Sequence, residues 1–468
     1  MLKRLIFVTL VAPVLLLCIN ATQQTPPSDV ESNYKTYCAG CHGVQMNAFV
    51  DRKWKHGSSK DDLFKAIKVG YPDEGMPGFD TAFTDQEITE LSDYILKGIA
   101  NVERYDFKEK PNSNTVFKTE IGDMKLEKVA DGMGVPWSMA FLPAGEMLVT
   151  ERSGKLHRLT KDRKKQTVTG LLEILSEGQG GLMDVILHPN YNKNKVIYLS
   201  YSAFKKEDGN TLSTTAIMRA TLTGNKLTNQ KVIFEALPYS RTRHHYGAKM
   251  AFGKDGMLYF SVGDRGNQND NPQNLKNHGG KIHRIKGDGT IPADNPFVKT
   301  PGAMPSIFSY GHRNPQGLTV HPETGAIWTN EHGPRGGDEI NLVQKGKNYG
   351  WPLISYGINY NGTTFTDKTS QEGMEQPNLY WVPSIGPSGM AFIQGNRYKG
   401  WAGDAMVGSL RFEYLNRCNM EGTTKIAGQE NILENIGRLR DVRMAPDGYI
   451  YIAVEDPGTV YKLVPVVD

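Results

Sequence analysis

The sequence predicts an all-β, six-bladed propeller preceded by a small all-α domain. Composition is the first reason: 50 Gly, 25 Pro and 38% hydrophobic residues in 468 favour many short strands and turns over long helices. The second is a recurring unit from Met124 on, a Gly-containing turn leading into a period-2 strand. It runs as FLPAGEMLVTERSGKLHRL from Phe141, LHPNYNKNKVIYLSYS from Leu187, FGKDGMLYFSVGDRG from Phe252, VHPETGAIWTNEHGP from Val320, QGNRYKGWAGDAMVGSL from Gln394 and APDGYIYIAVEDPGTVYKL from Ala445. These six units lie about 45 to 75 residues apart, a spacing suited to antiparallel blades around an axis. Each blade then covers its neighbours' faces and keeps its edges short, which a pair of β-sandwiches explains less well. The strand-like LEKVA at Leu126 is placed to close the ring with the last strand. The third reason is that residues 29–100 carry capped helical patterns instead.

Lys+Arg 54 against Asp+Glu 50 gives a net charge of +4, too balanced for a nucleic-acid surface. Lys3 and Arg4 precede an apolar run from Leu5 to Ile19 interrupted by Pro13, and polar TQQTPPSD follows. This layout predicts a signal peptide over residues 1–21, a periplasmic or secreted protein, and a mature chain without a transmembrane span. The run is shorter than the roughly 20 residues a span needs. Lipid attachment at Cys18 is disfavoured because Leu17 is not small. Cys38 and Cys41 form a motif and Cys418 stands alone as a buried or idle thiol, so no disulfide framework is implied.

Ser28-Asp29-Val30-Glu31 has the form of a capping box opening a helix into Tyr37-Cys38-Ala39-Gly40-Cys41-His42. Two thiols at this spacing can add to the vinyl groups of a haem while the adjacent imidazole binds its iron. A zinc half-site, the alternative, wants a second Cys/His cluster, and only His56 is near. Met76, in the Gly/Pro-held loop YPDEGMPGF, is the expected second axial ligand. Met46 competes, but only four residues past His42 it reaches the opposite face of the iron awkwardly. Thr84-Asp85-Gln86-Glu87 caps a further helix whose apolar face is Ile88, Leu91, Ile95 and Ile99. Residues 29–100 resemble a class I cytochrome c, which implies a one-electron carrier with haem c on Cys38, Cys41, His42 and Met76. Residues 101–123 are polar and irregular and read as a linker to the propeller of residues 124–468.

A propeller does its chemistry where loops meet at one mouth of the channel. The candidates just before or after strands are Gln179, His245, Arg313, Asn314, His332 to Pro334, Arg411, Arg438 and Arg440. Pro315 disfavours helix at Asn314, so the segment reads as a fixed loop presenting Arg313 and Asn314. The plain alternative is that Arg313 ties down its own loop. Gly333 and Pro334 leave carbonyl oxygens suited to a hard cation. Four arginines ask for several carboxylates on a ligand.

The stretch from Gly132 to Leu463 resembles the soluble, pyrroloquinoline quinone (PQQ)-dependent aldose sugar and glucose dehydrogenases. The motifs carrying the likeness are GQGGLMDVILHP, HHYGAKMAFGKDG, GDRGNQ, GGKIHRI with DGTIPADNPF, GHRNPQG, EHGPRGGDEINLVQKGKNYGWP and RLRDVRMAPDG. The resemblance implies that His245 is the general base for the sugar's anomeric hydroxyl, although His244 beside it leaves open which ring faces the mouth. It implies that Gln179, Arg313, Asn314, Arg411, Arg438 and Arg440 hold PQQ, with Tyr360 beside it. The Gly333 and Pro334 carbonyls would bind a calcium touching PQQ, and Glu339 with the Tyr349 carbonyl a second, structural calcium. Two positions depart from the glucose enzyme, His332 for glutamine and Arg411 for lysine; arginine keeps the charge and changes the geometry. The chain lacks longer insertions of that enzyme, so the broader aldose group fits better. The expected function is oxidation of an aldose to its lactone, with electrons passing to the fused haem and on to a downstream cytochrome or quinone chain. The alternatives are a different substrate (sorbosone, other pyranoses or alcohols) and a non-catalytic, ligand-binding propeller.

Overall fold

The computed structural model describes residues 29–42, 46, 56–100, 115–120, 122–455 and 457–466. The expected signal segment, Cys18 and Ser28 lie outside the described residues, as does most of the expected linker. None of the helices described is long and apolar enough to cross a membrane.

The propeller is built as expected, from six antiparallel sheets. Blades 1 to 5 follow the chain, with inner strands Pro136–Phe141, Leu182–Leu187, Met250–Phe252, Pro315–Val320 and Pro387–Phe392. Blade 6 is composite. Its inner strands Leu439–Met444 and Ile450–Val454 are continued by Thr459–Pro465, which pairs with Met124–Ala130 from the other end of the propeller chain. The LEKVA segment therefore closes the ring. One part of the expected linker is structured: Val116–Phe117 adds a short outer strand to Met124–Ala130 and buries the Phe117 ring.

The core is divided among the gaps between blades. One apolar cluster joins blades 1 and 2 through Leu148, Leu182 and Leu199, another joins blades 4 and 5 through Trp328, Met390 and Val407, and blades 6 and 1 meet through Val149, Met139 and Tyr451. Equivalent clusters fill the other three gaps. Cys418 is buried in the cluster between blades 4 and 5, and desolvation raises its thiol pKa, as an idle thiol requires.

In each blade the recurring turn joins the end of the inner strand to the start of the second. The start of the inner strand and the end of the second strand therefore lie together at the opposite end of the channel, where the candidate residues fall.

The N-terminal domain is helical. Val30–Asn33, a π-helical turn at Tyr34–Cys38 and Ala39–His42 form one continuous run. Its N-cap is Asp29, which accepts from the Ser32 N–H at 3.1 Å, rather than Ser28. Thr84 and Glu87 form the expected reciprocal cap of the helix Asp85–Ala100, with N–H to side-chain distances of 2.8 and 3.3 Å. Ile88, Leu91 and Ile95 are buried and Ile99 packs against them. A helix not anticipated from the sequence, Lys60–Val69, starts at a Ser59/Asp62 capping box and buries Leu63 and Ile67. Cys38, Met46 and Met76 all belong to this domain's apolar cluster.

Charged groups lie buried near the propeller axis. Lys249 Nζ is 2.6 Å from Asp441 Oδ1, and Arg443 bridges Asp441 and Asp184 at 2.9 and 2.5 Å. Truncating one partner leaves uncompensated buried charge. Asp441→Ala is expected to cost about 3–5 kcal/mol in urea unfolding followed by tryptophan fluorescence; a loss below about 1 kcal/mol would show that the cluster is not a structural tie.

Candidate active site

The predicted residues meet at one mouth. His245 precedes the inner strand of blade 3 with φ of 53°, an unusual backbone conformation for a residue with a Cβ. Gln179, preceding blade 2, holds it there by accepting the His245 N–H at 2.9 Å, while its own N–H donates to the Arg243 carbonyl at 2.8 Å. His245 Nδ1 lies 2.7 Å from Asp264 Oδ1. Asp264 also accepts from Trp351 Nε1 at 2.9 Å and from the Gly266 N–H at 2.8 Å. With Asp264 ionised, Nδ1 carries the proton and Nε2 is left as an acceptor. The His245 side chain is 12% exposed and Asp264 1%, so the dyad is dry on one side and open to the mouth on the other.

Asp264 had no assigned role in the sequence reading, although GDRGNQ contains it. That motif also explains Gly263, where a Cβ would come within 2.2 Å of the His245 carbonyl oxygen. Its backbone must pass directly under the base.

The electrostatics keep His245 neutral. Burial lowers its pKa, the Arg313 guanidinium lowers it further, and Asp264 opposes both. Burial alone would raise the Asp264 carboxyl, but His245, Arg313 and the Gly266 N–H outweigh it and hold it at about 2. His332 is pushed down to about 3 by burial and then by Arg313 and Arg440; its Nε2 is 2.8 Å from the Pro387 carbonyl, which it caps as a donor. His244 is buried behind His245 with its pKa lowered to about 2, first by burial and then by His245.

From His245 a continuous polar path runs around the mouth. Asn314 accepts the Gly247 N–H at 3.1 Å and also accepts from Gln316 at 3.2 Å. Gln316 in turn accepts from Arg440 at 3.1 Å. Arg440 and Arg438 both pair with Glu455. Arg438 also donates to the Leu410 carbonyl at 3.0 Å, and the neighbouring Arg411 donates to the Ser384 carbonyl at 3.2 Å. Ser384 Oγ reaches the Pro334 carbonyl at 3.1 Å.

The arginine charges are therefore not all available to a ligand. Burial raises the Glu455 carboxyl, but Arg440, Arg438 and Arg152 outweigh it and hold it well below the usual range. One internal carboxylate thus pairs with two of the four arginines and offsets one unit of their charge. Arg313 donates to the Gly333 carbonyl at 2.7 Å and the His332 carbonyl at 3.3 Å, so it does tie its loop. Yet its buried Nε has no hydrogen-bond partner, and its guanidinium lies 5.8 Å from the Tyr360 ring. A ligand carboxylate at the mouth would satisfy that orphaned donor.

Beside Arg313 is a cavity lined by Gly333, Glu331, Glu339, Tyr349 and Trp351. Asn341 Nδ2 donates to Glu331 at 3.2 Å and to Glu339 at 3.1 Å, tying the two carboxylates to one amide. Burial and then the Glu331 charge push Glu339 up to about 8. Two buried carboxylates, one forced towards its neutral form, suit an oxygen-seeking cation. Asp338 fixes the adjoining turn by accepting from the Gly333 and Gly386 N–H groups, each at 2.8 Å. A Cβ at Gly333 would meet the Gly336 and Gly337 oxygens at 2.4 Å, which is the close approach expected of that glycine.

Glu331, Asp264 and Glu455 were all missed from the sequence. Each stands at or just past the end of the apolar second strand of a blade, in IWTNE, YFSVGD and YIAVE, and that shared position was the available signal.

Residues 133–462 match the family model described as glucose/sorbosone dehydrogenase, and residues 25–95 the one described as cytochrome c oxidase, cbb3-type, subunit III. The aldose sugar dehydrogenase YliI of Escherichia coli (strain K12) is 38% identical over 348 residues, covering 73% of this chain and 93% of the relative. The crystal structure of the soluble aldose sugar dehydrogenase from Escherichia coli in its apo-form is 36% identical, with a TM-score of 0.70 over 73% of this chain and 100% of that one. The PQQ-bound aldose sugar dehydrogenase from Streptomyces coelicolor is 28% identical, with a TM-score of 0.60 over 73% and 98%. With most of its length matched, the chain belongs to the glucose/sorbosone dehydrogenase family of oxidoreductases and carries a cytochrome c domain ahead of its propeller.

Proposed function

We propose that the protein oxidises aldose sugars to lactones at a PQQ and calcium site in the propeller mouth, and passes the electrons to haem c in its own N-terminal domain. The observation that carries this reading is the His245–Asp264 dyad, whose open imidazole nitrogen faces the mouth beside Arg313. A non-catalytic propeller has no use for a neutral, oriented base in a cationic pocket.

His245 Nε2 takes the proton of the sugar's anomeric hydroxyl. Asp264 keeps the ring in the required tautomer and stabilises the imidazolium that forms. Arg313, Arg411 and the Arg438–Glu455–Arg440 cluster would orient a polycarboxylate, with Tyr360 flanking it. Gly333 and Pro334 would present their carbonyls to calcium, while Glu331, Glu339 and Tyr349 line the place for a second ion. When bound, PQQ supplies the carbonyl carbon that accepts hydride and calcium the charge that polarises it. Cys38, Cys41, His42 and Met76 would hold the haem, and fusion keeps that acceptor at high local concentration. The signal-like N-terminus supports a periplasmic setting, with electrons leaving to a cytochrome or quinone chain. A panel of aldoses, sorbosone and simple alcohols decides the substrate; no sugar-dependent haem reduction after reconstitution with PQQ and calcium overturns the proposal.

His245→Ala is expected to lower turnover by about 10²–10⁴ and leave the haem spectrum intact; unchanged turnover would remove it as the base. Because burial and Arg313 lower the His245 pKa, the base stays neutral somewhat below the ordinary histidine value. Activity should therefore hold through neutral pH and fall only on the acid side of that value. Asp264→Asn removes a group that raises the His245 pKa, so the acid limb should move to lower pH while kcat falls by about 10² or more. A limb that moves upward would contradict this arrangement. Calcium should raise Tm by several degrees in wild type, roughly the effect of saturating one site, and less in Glu339→Gln; an equal rise in both would place the ion elsewhere.

A further inference from the structure

The two domains touch at the mouth, through the loop that carries the candidate haem ligand. The Arg243 N–H donates to the Asp73 carbonyl at 2.5 Å. Gly75 is in van der Waals contact with His244, where a Cβ would lie 3.4 Å from the histidine's own Cβ. On blade 4, Asn361 Nδ2 donates to Thr81 Oγ1 at 2.9 Å, and the Arg335 guanidinium lies 4.3 Å from the Tyr37 ring, next to Cys38. Both segments expected to surround a haem, Tyr37–His42 and Tyr71–Phe79, thus supply contacts to the rim above blades 3 and 4.

His244 is the residue common to both sides. Its ring meets the His245 ring edge-on, with centroids 4.5 Å apart, and it also touches Gly266 of its own domain and Gly75, directly before Met76. Its Nδ1 is buried with no hydrogen-bond partner. Nothing in the base dyad needs a second buried imidazole here, and the ring is instead packed against a residue of the other domain.

We infer that this contact is the internal electron-transfer interface: the Tyr71–Gly75 loop seats the haem domain against His244, and electrons pass across it from the sugar-oxidising site without the domain having to swing to a second position. The inference rests on the proposed function. Its balance is that of that reaction: two electrons and two protons leave the sugar, the hydroxyl proton going to His245 and the proton that left with the hydride being released to solvent as the haem takes the electrons singly and hands each to the external acceptor.

The contact between Thr81 and Asn361 allows a direct test in the full-length holoprotein. Thr81→Cys/Asn361→Cys puts thiols in place of side chains whose polar atoms lie 2.9 Å apart, so a small backbone adjustment would bring them to disulfide geometry. Mild oxidation should remove both introduced thiols in a thiol titration, judged against each single variant. In stopped-flow mixing with an aldose, the locked protein should reduce its haem within about threefold of the wild-type rate, independent of protein concentration. Thiols that persist would show that the domains do not meet here. A locked protein whose quinone is reduced while its haem stays oxidised would show that transfer needs another pose; either result overturns the inference. If the wild-type haem also stays oxidised, the functional reading fails and the route with it, while the thiol titration still reports whether the contact exists.

Discussion

Six inner strands crowd the channel of this propeller, and buried polar groups there must find partners across blade boundaries. They do so around the whole ring. Thr150 donates to the Met183 carbonyl, Ser200 to Ala248 at 2.7 Å, Ser261 to Pro315 at 3.1 Å, Asn330 to Ser388 at 2.9 Å and Ser388 to Leu439 at 2.6 Å. Asp441 completes the circle by accepting the Met139 N–H at 3.0 Å. All six donating or accepting side chains are fully buried. Three of the carbonyls so pinned, on Ala248, Pro315 and Leu439, lie within three residues of His245, Asn314 and the pair Arg438 and Arg440. The site is hung on the same bonds that fix blade to blade, which is why residues from five blades hold a common geometry on loops that would otherwise be free.

The two ends of the channel differ in how plainly the sequence shows them. The end that closes each inner strand carries the Gly-containing turns, whose residue types follow from local backbone geometry and so repeat visibly along the chain. The opposite end carries the chemistry, where residue choice follows partners far away in sequence. His245 and the arginines were legible because they stand in motifs. Asp264, Glu331 and Glu455 were not, because each matters only through a partner brought in by folding. The same gap explains the arginine count. Four cations ask for an anionic ligand on charge count alone, yet Glu455, 15 residues from Arg440, neutralises part of that charge from within. In the small domain local rules served well at Thr84–Glu87, while the cap moved from Ser28 to Asp29 because the side chain that reaches the free N–H decides the helix start.

The mouth must hold a polyanion and still contain a base able to take a proton. Those demands are compatible because one group serves both. Arg313 offers an unpartnered Nε to a ligand and, by its charge, lowers the pKa of His245 and His332. Asp264 pulls the other way, enough to orient the ring and shelter the imidazolium. Had the pocket been lined by carboxylates, His245 would hold its proton at neutral pH and the dyad would be idle. The carboxylates are instead set aside: Glu455 among the arginines, and Glu331 with Glu339 in the cavity below.

The three consecutive residues Arg243, His244 and His245 face three different tasks. The first gives its N–H to the haem domain, the second packs between the domains, and the third holds the base. The positive φ at His245 turns the chain so that adjacent side chains diverge, one towards Asp264 and one towards Gly75. Replacing His245 by glycine would preserve the turn and lose the chemistry. A shift of one residue in this loop would instead move the base and the domain contact together. Placement of the haem domain and placement of the base are thus set by one backbone turn, pinned on one side by Gln179 and on the other by the Ala248 carbonyl in the cross-blade ring.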